Sequence, residues 1–244
     1  MEPFPALGLC VDERVLACVF AHARQERERE ACGVIVAHKG RQTFRALANV
    51  YAEPEHGFAF DPLEYAQAIE QDAPLVIVHS HPRTRPEPSS VDLVEMARCG
   101  LPYLIVNWRT HEHGMYLPRP YQAPLVGRTY HYGVFDCYTL VRDYYRITRG
   151  LVLPDWDRPD GWYERGEDLM GERFEEAGFV DVPHFDMQPG DLLVMQIGPW
   201  GVPDHCGICV EGGLILHHFR DRISSRDPFG GCWLRGLRRI GRQP

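Results

Sequence analysis

The stretch Leu75-Val76-Ile77-Val78-His79-Ser80-His81-Pro82, followed by Pro88-Ser89-Ser90-Val91-Asp92, constrains this chain more than any other. Four apolar, mostly β-branched residues, Leu75 to Val78, predict a buried strand. His79 and His81 at its end are two apart, so both imidazoles leave the same face. Ten residues separate His81 from Asp92, and Ser89 or Ser90 can cap a helix beginning near Asp92. Two imidazoles and a carboxylate converging from a strand end and a helix start make a three-donor set with a fourth position open to water. That is the arrangement of a catalytic zinc rather than a structural one. A polar loop facing solvent is the plainer reading, but His-x-His, the gap and Ser-x-x-Asp together favour the metal.

At 244 residues the chain suits one large or two medium domains, and 44% hydrophobic with 25% charged residues excludes a disordered one. A formal charge of -8 offers no basic footprint for nucleic acid. The C-terminal basic cluster, Arg235, Arg238, Arg239 and Arg242, reads as a solvated face or a docking surface. No apolar run approaches the length of a membrane span. The N-terminal segment carries Glu2, Asp12 and Glu13 without a basic region, so synthesis in the cytoplasm without export is expected. The eight cysteines show no disulfide-framework spacing. Cys206 and Cys209 lie in a strand-like stretch where i and i+3 point to opposite faces, which argues against a zinc knuckle or redox pair. Reduced thiols are expected.

Along the first half, Asp12 is positioned to cap a helix with apolar Val15, Leu16, Val19, Phe20 and Ala23. Residues 30–36 pass into a strand, a turn at His38-Lys39-Gly40 leads to a partner strand through Phe44, Leu47 and Val50, and Asp61-Pro62 starts a helix to about Gln71. The His79 strand, the Asp92 helix ending near Gly100 and a strand from Tyr103 to Trp108 complete an α/β unit. Between about Gly114 and Gly127 the pattern lapses around Pro118, Pro120 and Pro124, which predicts a connector. The expected division is therefore 1–117, a connector at 118–126, and 127–244.

The second half opens with a predicted helix from Asp136 to about Arg149, with Cys137 in its first turn. A loop with Pro154, Trp156, Pro159 and Trp162 follows, then a short helix from Leu169 to Ala177. Strands are expected at 191–196, 205–211 and 214–219, the last two flanking Gly212-Gly213. Helix-start amides favour a thiolate at Cys137 and could receive an oxyanion. A buried, inert cysteine is the alternative, but His205, His217 and His218 supply candidate bases. A two-residue Gly-Gly turn would set His218 on the His205 face, and a bulge or three-residue loop would set His217 there. Parity alone leaves both open. In the first half Glu30 is the candidate carboxylate to shuttle a proton, although Arg27-Glu28-Arg29-Glu30 also reads as a simple charge run.

Glu30-Ala31-Cys32-Gly33 upstream of His-Ser-His-Pro and Ser-x-x-Asp resembles the JAMM-type (MPN-domain) metalloproteases over roughly residues 10 to 115. The resemblance implies Glu30 as general base, zinc on His79, His81 and Asp92, and Ser89 as oxyanion donor. It also implies action on isopeptide or C-terminal peptide bonds of ubiquitin-like partners. Asp136-Cys137, Gly190-Asp191, His205-x-Gly207-Ile208 and His217, twelve residues after His205, resemble the NlpC-type papain-like peptidases over about 127 to 220. That resemblance favours His217 over His218 and implies cleavage of cell-wall stem peptides. Tyr138-Thr139 in place of Ser-Gly and Cys206 in place of Val depart from its pattern.

The implied fold class is α+β, an N-terminal JAMM-like α/β/α domain followed by a papain-like α+β domain. The pairing resembles the tail assembly protein K family of lambda-like phages. It implies a virion tail-tip component, made in the host cytoplasm, that contacts other tail-tip proteins and acts on peptidoglycan at the cell wall. A catalytically silent structural adaptor and a cytoplasmic deconjugating peptidase are the rival expectations.

Overall fold

The computed structural model describes residues 10–244, so Glu2 and the first part of the expected 1–117 domain lie outside the described residues. The chain divides into two compact units, Met1–Tyr121 and Gln122–Pro244, and each contains its own sheet.

The first sheet runs β2-β1-β3-β4-β5, from β1 (Cys32–His38), β2 (Arg41–Leu47), β3 (Ala73–Ser80), β4 (Tyr103–Asn107) and β5 (Glu112–Tyr116). β3 and β4 are parallel, connected through α3 (Ser90–Cys99), and the other neighbours are antiparallel. Period-two alternation sorts the core. Ile35, Val76, Val78, Leu104 and Val106 pack with Val19 and Ala23 of α1 (Glu13–Glu26). Val34, Val36, Ile77 and Ile105 pack with Ala68 of α2 (Pro62–Ile69) and Met96 of α3. The unit is therefore the expected α/β/α sandwich. Asp61 caps α2 by accepting from the Leu63 and Glu64 amides, with Pro62 opening the helix. Asp12 stands at the N-cap of α1 but makes no side-chain cap bond. The predicted lapse near Gly114 falls inside β5, an edge strand too exposed to carry an apolar alternation.

Gly33 on β1 has no room for a side chain. A Cβ there would lie 2.4 Å from the Arg45 carbonyl oxygen and 2.6 Å from the Phe44 ring. Gly33→Ala is expected to lower stability by about 1–3 kcal/mol through overpacking. The check is the denaturant midpoint, which should fall with the slope unchanged.

The second sheet runs β10-β9-β8-β7-β11-β6, from β6 (Val180–Asp181), β7 (Leu192–Met195), β8 (His205–Val210), β9 (Leu214–His217), β10 (Ser225–Pro228) and β11 (Leu237–Arg242). One face carries Leu192, Val194, Cys206, Ile208 and Leu216 against Leu140, Val141 and Tyr145 of α4 (Cys137–Arg149). On the other, Leu193, Met195, Cys209, Ile215 and Ile240 close on Trp233 of α6 (Gly231–Gly236). Cys206 and Cys209 therefore do face opposite ways. The helix expected to Ala177 is only α5 (Leu169–Glu172), and Phe174 and Ala177 are buried from the turns that follow it.

The C-terminal basic cluster is corrected by this topology. β11 lies within the sheet, paired to both β7 and β6. Arg242 Nε and Nη2 donate to the buried Asp191 carboxylate at 2.8 and 2.9 Å. Arg239 pairs with Asp181 at 2.7 Å, its guanidinium 3.7 Å above the Phe174 ring. Two of the four arginines are thus structural clamps, and part of the role of the Gly190-Asp191 motif is to anchor the last strand.

Candidate active sites

In the first unit, β3 delivers His79 and His81 while α3 delivers Asp92. His79 Nε2 lies 3.1 Å from His81 Nε2 and 3.2 Å from Asp92 Oδ1, and His81 Nε2 lies 3.6 Å from Asp92 Oδ2. Tetrahedral zinc with bonds of about 2.0–2.1 Å requires ligand atoms roughly 3.3 Å apart, so these three residues fit such an ion. The Arg85 carbonyl lies 3.2 Å from His81 Nδ1. A proton held there leaves the Nε2 lone pair free to ligate. Glu30 joins from the segment entering β1, its Oε1 4.0 Å from His81 Nε2. Glu30, His79 and His81 also form a cluster able to hold a metal ion. Burial pushes the Glu30 carboxyl up, only partly offset by His79 and His81.

Ser89 and Asp92 form a reciprocal capping box on α3. The Ser89 hydroxyl oxygen accepts from the Asp92 amide at 3.1 Å, and Asp92 Oδ2 accepts from the Ser89 amide at 2.7 Å. Ser89 rather than Ser90 is the cap, and its hydroxyl hydrogen is not spent in that bond. Sequence reasoning missed Asn49. Its buried amide donates at 2.9 Å to the Glu30 and Gly57 carbonyls and accepts from Tyr51 and Ala59. It thereby fixes the segment that carries Glu30. A lone Asn at a strand exit offers no sequence signal for this.

In the second unit, Asp136 caps α4 by accepting from the Thr139 amide at 2.7 Å. It also receives Arg158 Nη2 at 3.1 Å in a buried ion pair. Tyr138, where the NlpC pattern has Ser, stacks on Trp156 at 4.9 Å and donates to the Pro154 carbonyl at 3.0 Å. The Trp- and Pro-bearing loop is therefore pinned to the start of α4. β8 and β9 pair Val210 with Leu214, so the turn has three residues rather than two, and Gly207 faces His217. His205 Nε2 lies 2.9 Å from His217 Nδ1. His218 points to the other face and packs against the Tyr130 ring at 5.1 Å.

Burial, with His217 and His218 nearby, holds His205 well below the usual imidazole range. Half-buried Cys137, the first residue of α4, packs against the cluster that includes Cys206. Burial, with Cys137 as its neighbour, pushes the Cys206 thiol far up. Among the described residues no hydrogen bond joins Cys137 to either histidine. The structure thus brings His205 and His217 together beside Trp233, while Cys137 packs with the cluster on the α4 face of the sheet.

Residues 12–119 match the family of prokaryotic homologs of the JAB domain, and residues 127–242 match the NlpC/P60 family. The Tail tip assembly protein K of Escherichia phage N15 is 34% identical over 227 residues, an alignment covering 91% of this chain and 90% of that protein. The chain belongs to the tail tip assembly protein K family. Its relative of the same name in Escherichia phage lambda is 34% identical over 174 residues, covering 71% of this chain and 84% of that one. A desampylase of Haloferax volcanii is 32% identical over 111 residues, or 41% of this chain and 78% of its own length. A JAB-type domain followed by an NlpC/P60 domain makes this K-family chain a peptidase-related phage tail protein. No helix among the described residues is long and apolar enough to cross a membrane.

Proposed function

We propose that this K-family chain is a tail-tip peptidase with two hydrolytic domains, 1–117 and 127–244, joined by a connector at 118–126. The second domain hydrolyses peptidoglycan stem peptides during cell-wall penetration. The first hydrolyses a peptide or isopeptide bond of a tail partner during assembly. In this reading the protein is made in the host cytoplasm, joins other tail-tip proteins in the virion and works at the bacterial wall. The observation that carries the reading is the His205–His217 pair at 2.9 Å, in the same unit as a cysteine that opens a helix.

His205 gives its Nε2 edge to His217, so Nδ1 is the edge available to the nucleophile. Thiol and ring must close to hydrogen-bond reach when substrate binds, as catalytic hydrogen bonds tighten in the complex. Cys137 Sγ then attacks the scissile carbonyl carbon while His205 takes the thiol proton. Free amides at the start of α4 receive the developing oxyanion. His205 returns the proton to the leaving amine, and water, deprotonated by the same ring, hydrolyses the thioester.

In the first domain, His79, His81 and Asp92 would hold zinc, which supplies a Lewis acid able to polarise a carbonyl and acidify water. Glu30 takes the proton of the attacking water and passes it to the leaving amine. The Ser89 hydroxyl donates to the oxyanion. The Haloferax desampylase match, confined to less than half of this chain, supports a protease reading for this domain. Muropeptide digestion by the whole protein, followed by mass analysis, tests the proposal. Cleavage within stem peptides is expected, and intact muropeptides would favour a silent tail-tip adaptor.

A further inference from the structure

We infer that Asp227 is a positioning residue for the His205–His217 pair, extending that line of side chains by one carboxylate. The assignment deepens the proposed cysteine peptidase and rests on it. β10 pairs antiparallel with β9, placing Ser225 opposite His217 and Asp227 opposite Ile215. Ser225 and Asp227 are two apart, so both share the face that His217 and Ile215 occupy. Asp227 Oδ2 lies 3.3 Å from His217 Nε2. The approach is bent, so the ring nitrogen makes an electrostatic contact rather than an aligned hydrogen bond.

The chain of contacts is therefore His205 Nε2 to His217 Nδ1, then His217 Nε2 to the carboxylate. With a carboxylate beyond it, His217 is the better held to present its Nδ1 side to His205, and a cation on the pair is favoured. Asp227 is itself oriented. Its Oδ1 accepts from the Ser225 hydroxyl at 2.9 Å, and its Oδ2 accepts from Arg222 Nη2 at 3.1 Å. The Trp233 indole lies edge-on to the His217 ring at 4.4 Å and fixes its plane from α6.

The charged and titratable groups around His217 are His205 on β8, Asp227 on β10 and Arg222 on the preceding loop. Burial pulls the His217 imidazole down, Asp227 pushes it back up, and Arg222 opposes Asp227. His218 faces the other way and acts only at a distance, on His205. The carboxylate stabilises the protonated pair, so that form persists to higher pH with Asp227 than without it. Arg222, sharing the same carboxylate oxygen, weakens that support. Removing the acid and removing the arginine must then have opposite signs, which a simple loss of folding does not produce.

The test is the pH dependence of muropeptide cleavage by the whole protein, with the His217 titration followed by NMR in parallel. Asp227→Asn is expected to lower kcat about tenfold with little change in KM and to move the acidic limb, where the base becomes protonated, down by about one pH unit. Asp227→Glu should recover most of the rate. Arg222→Gln should move the limb and the His217 titration upward. If the wild type cleaves and Asp227→Asn leaves the limb in place, or both variants shift it the same way, the assignment is overturned while the peptidase stands. If the wild type does not cleave, the proposed function fails and the positioning role of Asp227 fails with it.

Discussion

Cys137→Ala is expected to lower stem-peptide hydrolysis by at least about 10³-fold, because the variant lacks the atom that forms the thioester. His79→Ala should leave the same reaction within about twofold, since His79 lies in the other compact unit from the His205–His217 pair and the start of α4. The pairing of variants matters more than either alone. Muropeptide turnover under saturating substrate, with unfolding midpoints measured alongside, separates a lost nucleophile from a lost fold. Equal losses in both variants would contradict independent sites and argue for one composite centre.

Glu30→Gln is expected to retain zinc binding while reducing the proposed first-domain peptide hydrolysis by about 10²–10⁴-fold. Gln preserves the size of the side chain and can still sit beside His81, but it cannot take a proton. Glu30 Oε1 stands 4.0 Å from His81 Nε2, farther than the separations among His79, His81 and Asp92. Losing it should therefore cost turnover rather than metal. Zinc stoichiometry by elemental analysis and cleavage of an isopeptide-linked substrate read the two quantities separately. A variant that loses its zinc along with its activity would instead make Glu30 a ligand.

What the sequence made legible was local. His-x-His at a strand end, Ser-x-x-Asp at a helix start and Asp-Cys at another helix start each put donor and element within a few residues, and the geometry follows from helix and strand periods. The hydrophobic alternation of Val76 to Val78 and the apolar stripe of α1 likewise carry their own burial. Pairing between distant segments was not legible. β11 reads as a basic tail because its arginines look solvated until Asp191 and Asp181, more than fifty residues away, are brought beside them. Asp227 lies on a strand of mostly polar residues, with no apolar rhythm to announce it. The choice between His217 and His218 depended on a single residue of turn length, a quantity that Gly212-Gly213 leaves ambiguous and that the pairing of Val210 with Leu214 decides.

Asp92 serves two masters at once. Oδ2 is tied to the Ser89 amide, while Oδ1 leans on His79. The first tie is made by the helix itself, so this carboxylate is oriented before any ion arrives. Little rotational freedom remains to be surrendered on coordination, and chelation should empty the pocket without melting the turn that holds it. A first domain stripped of metal and later resupplied would then recover at the pace of ion diffusion rather than of chain reorganisation.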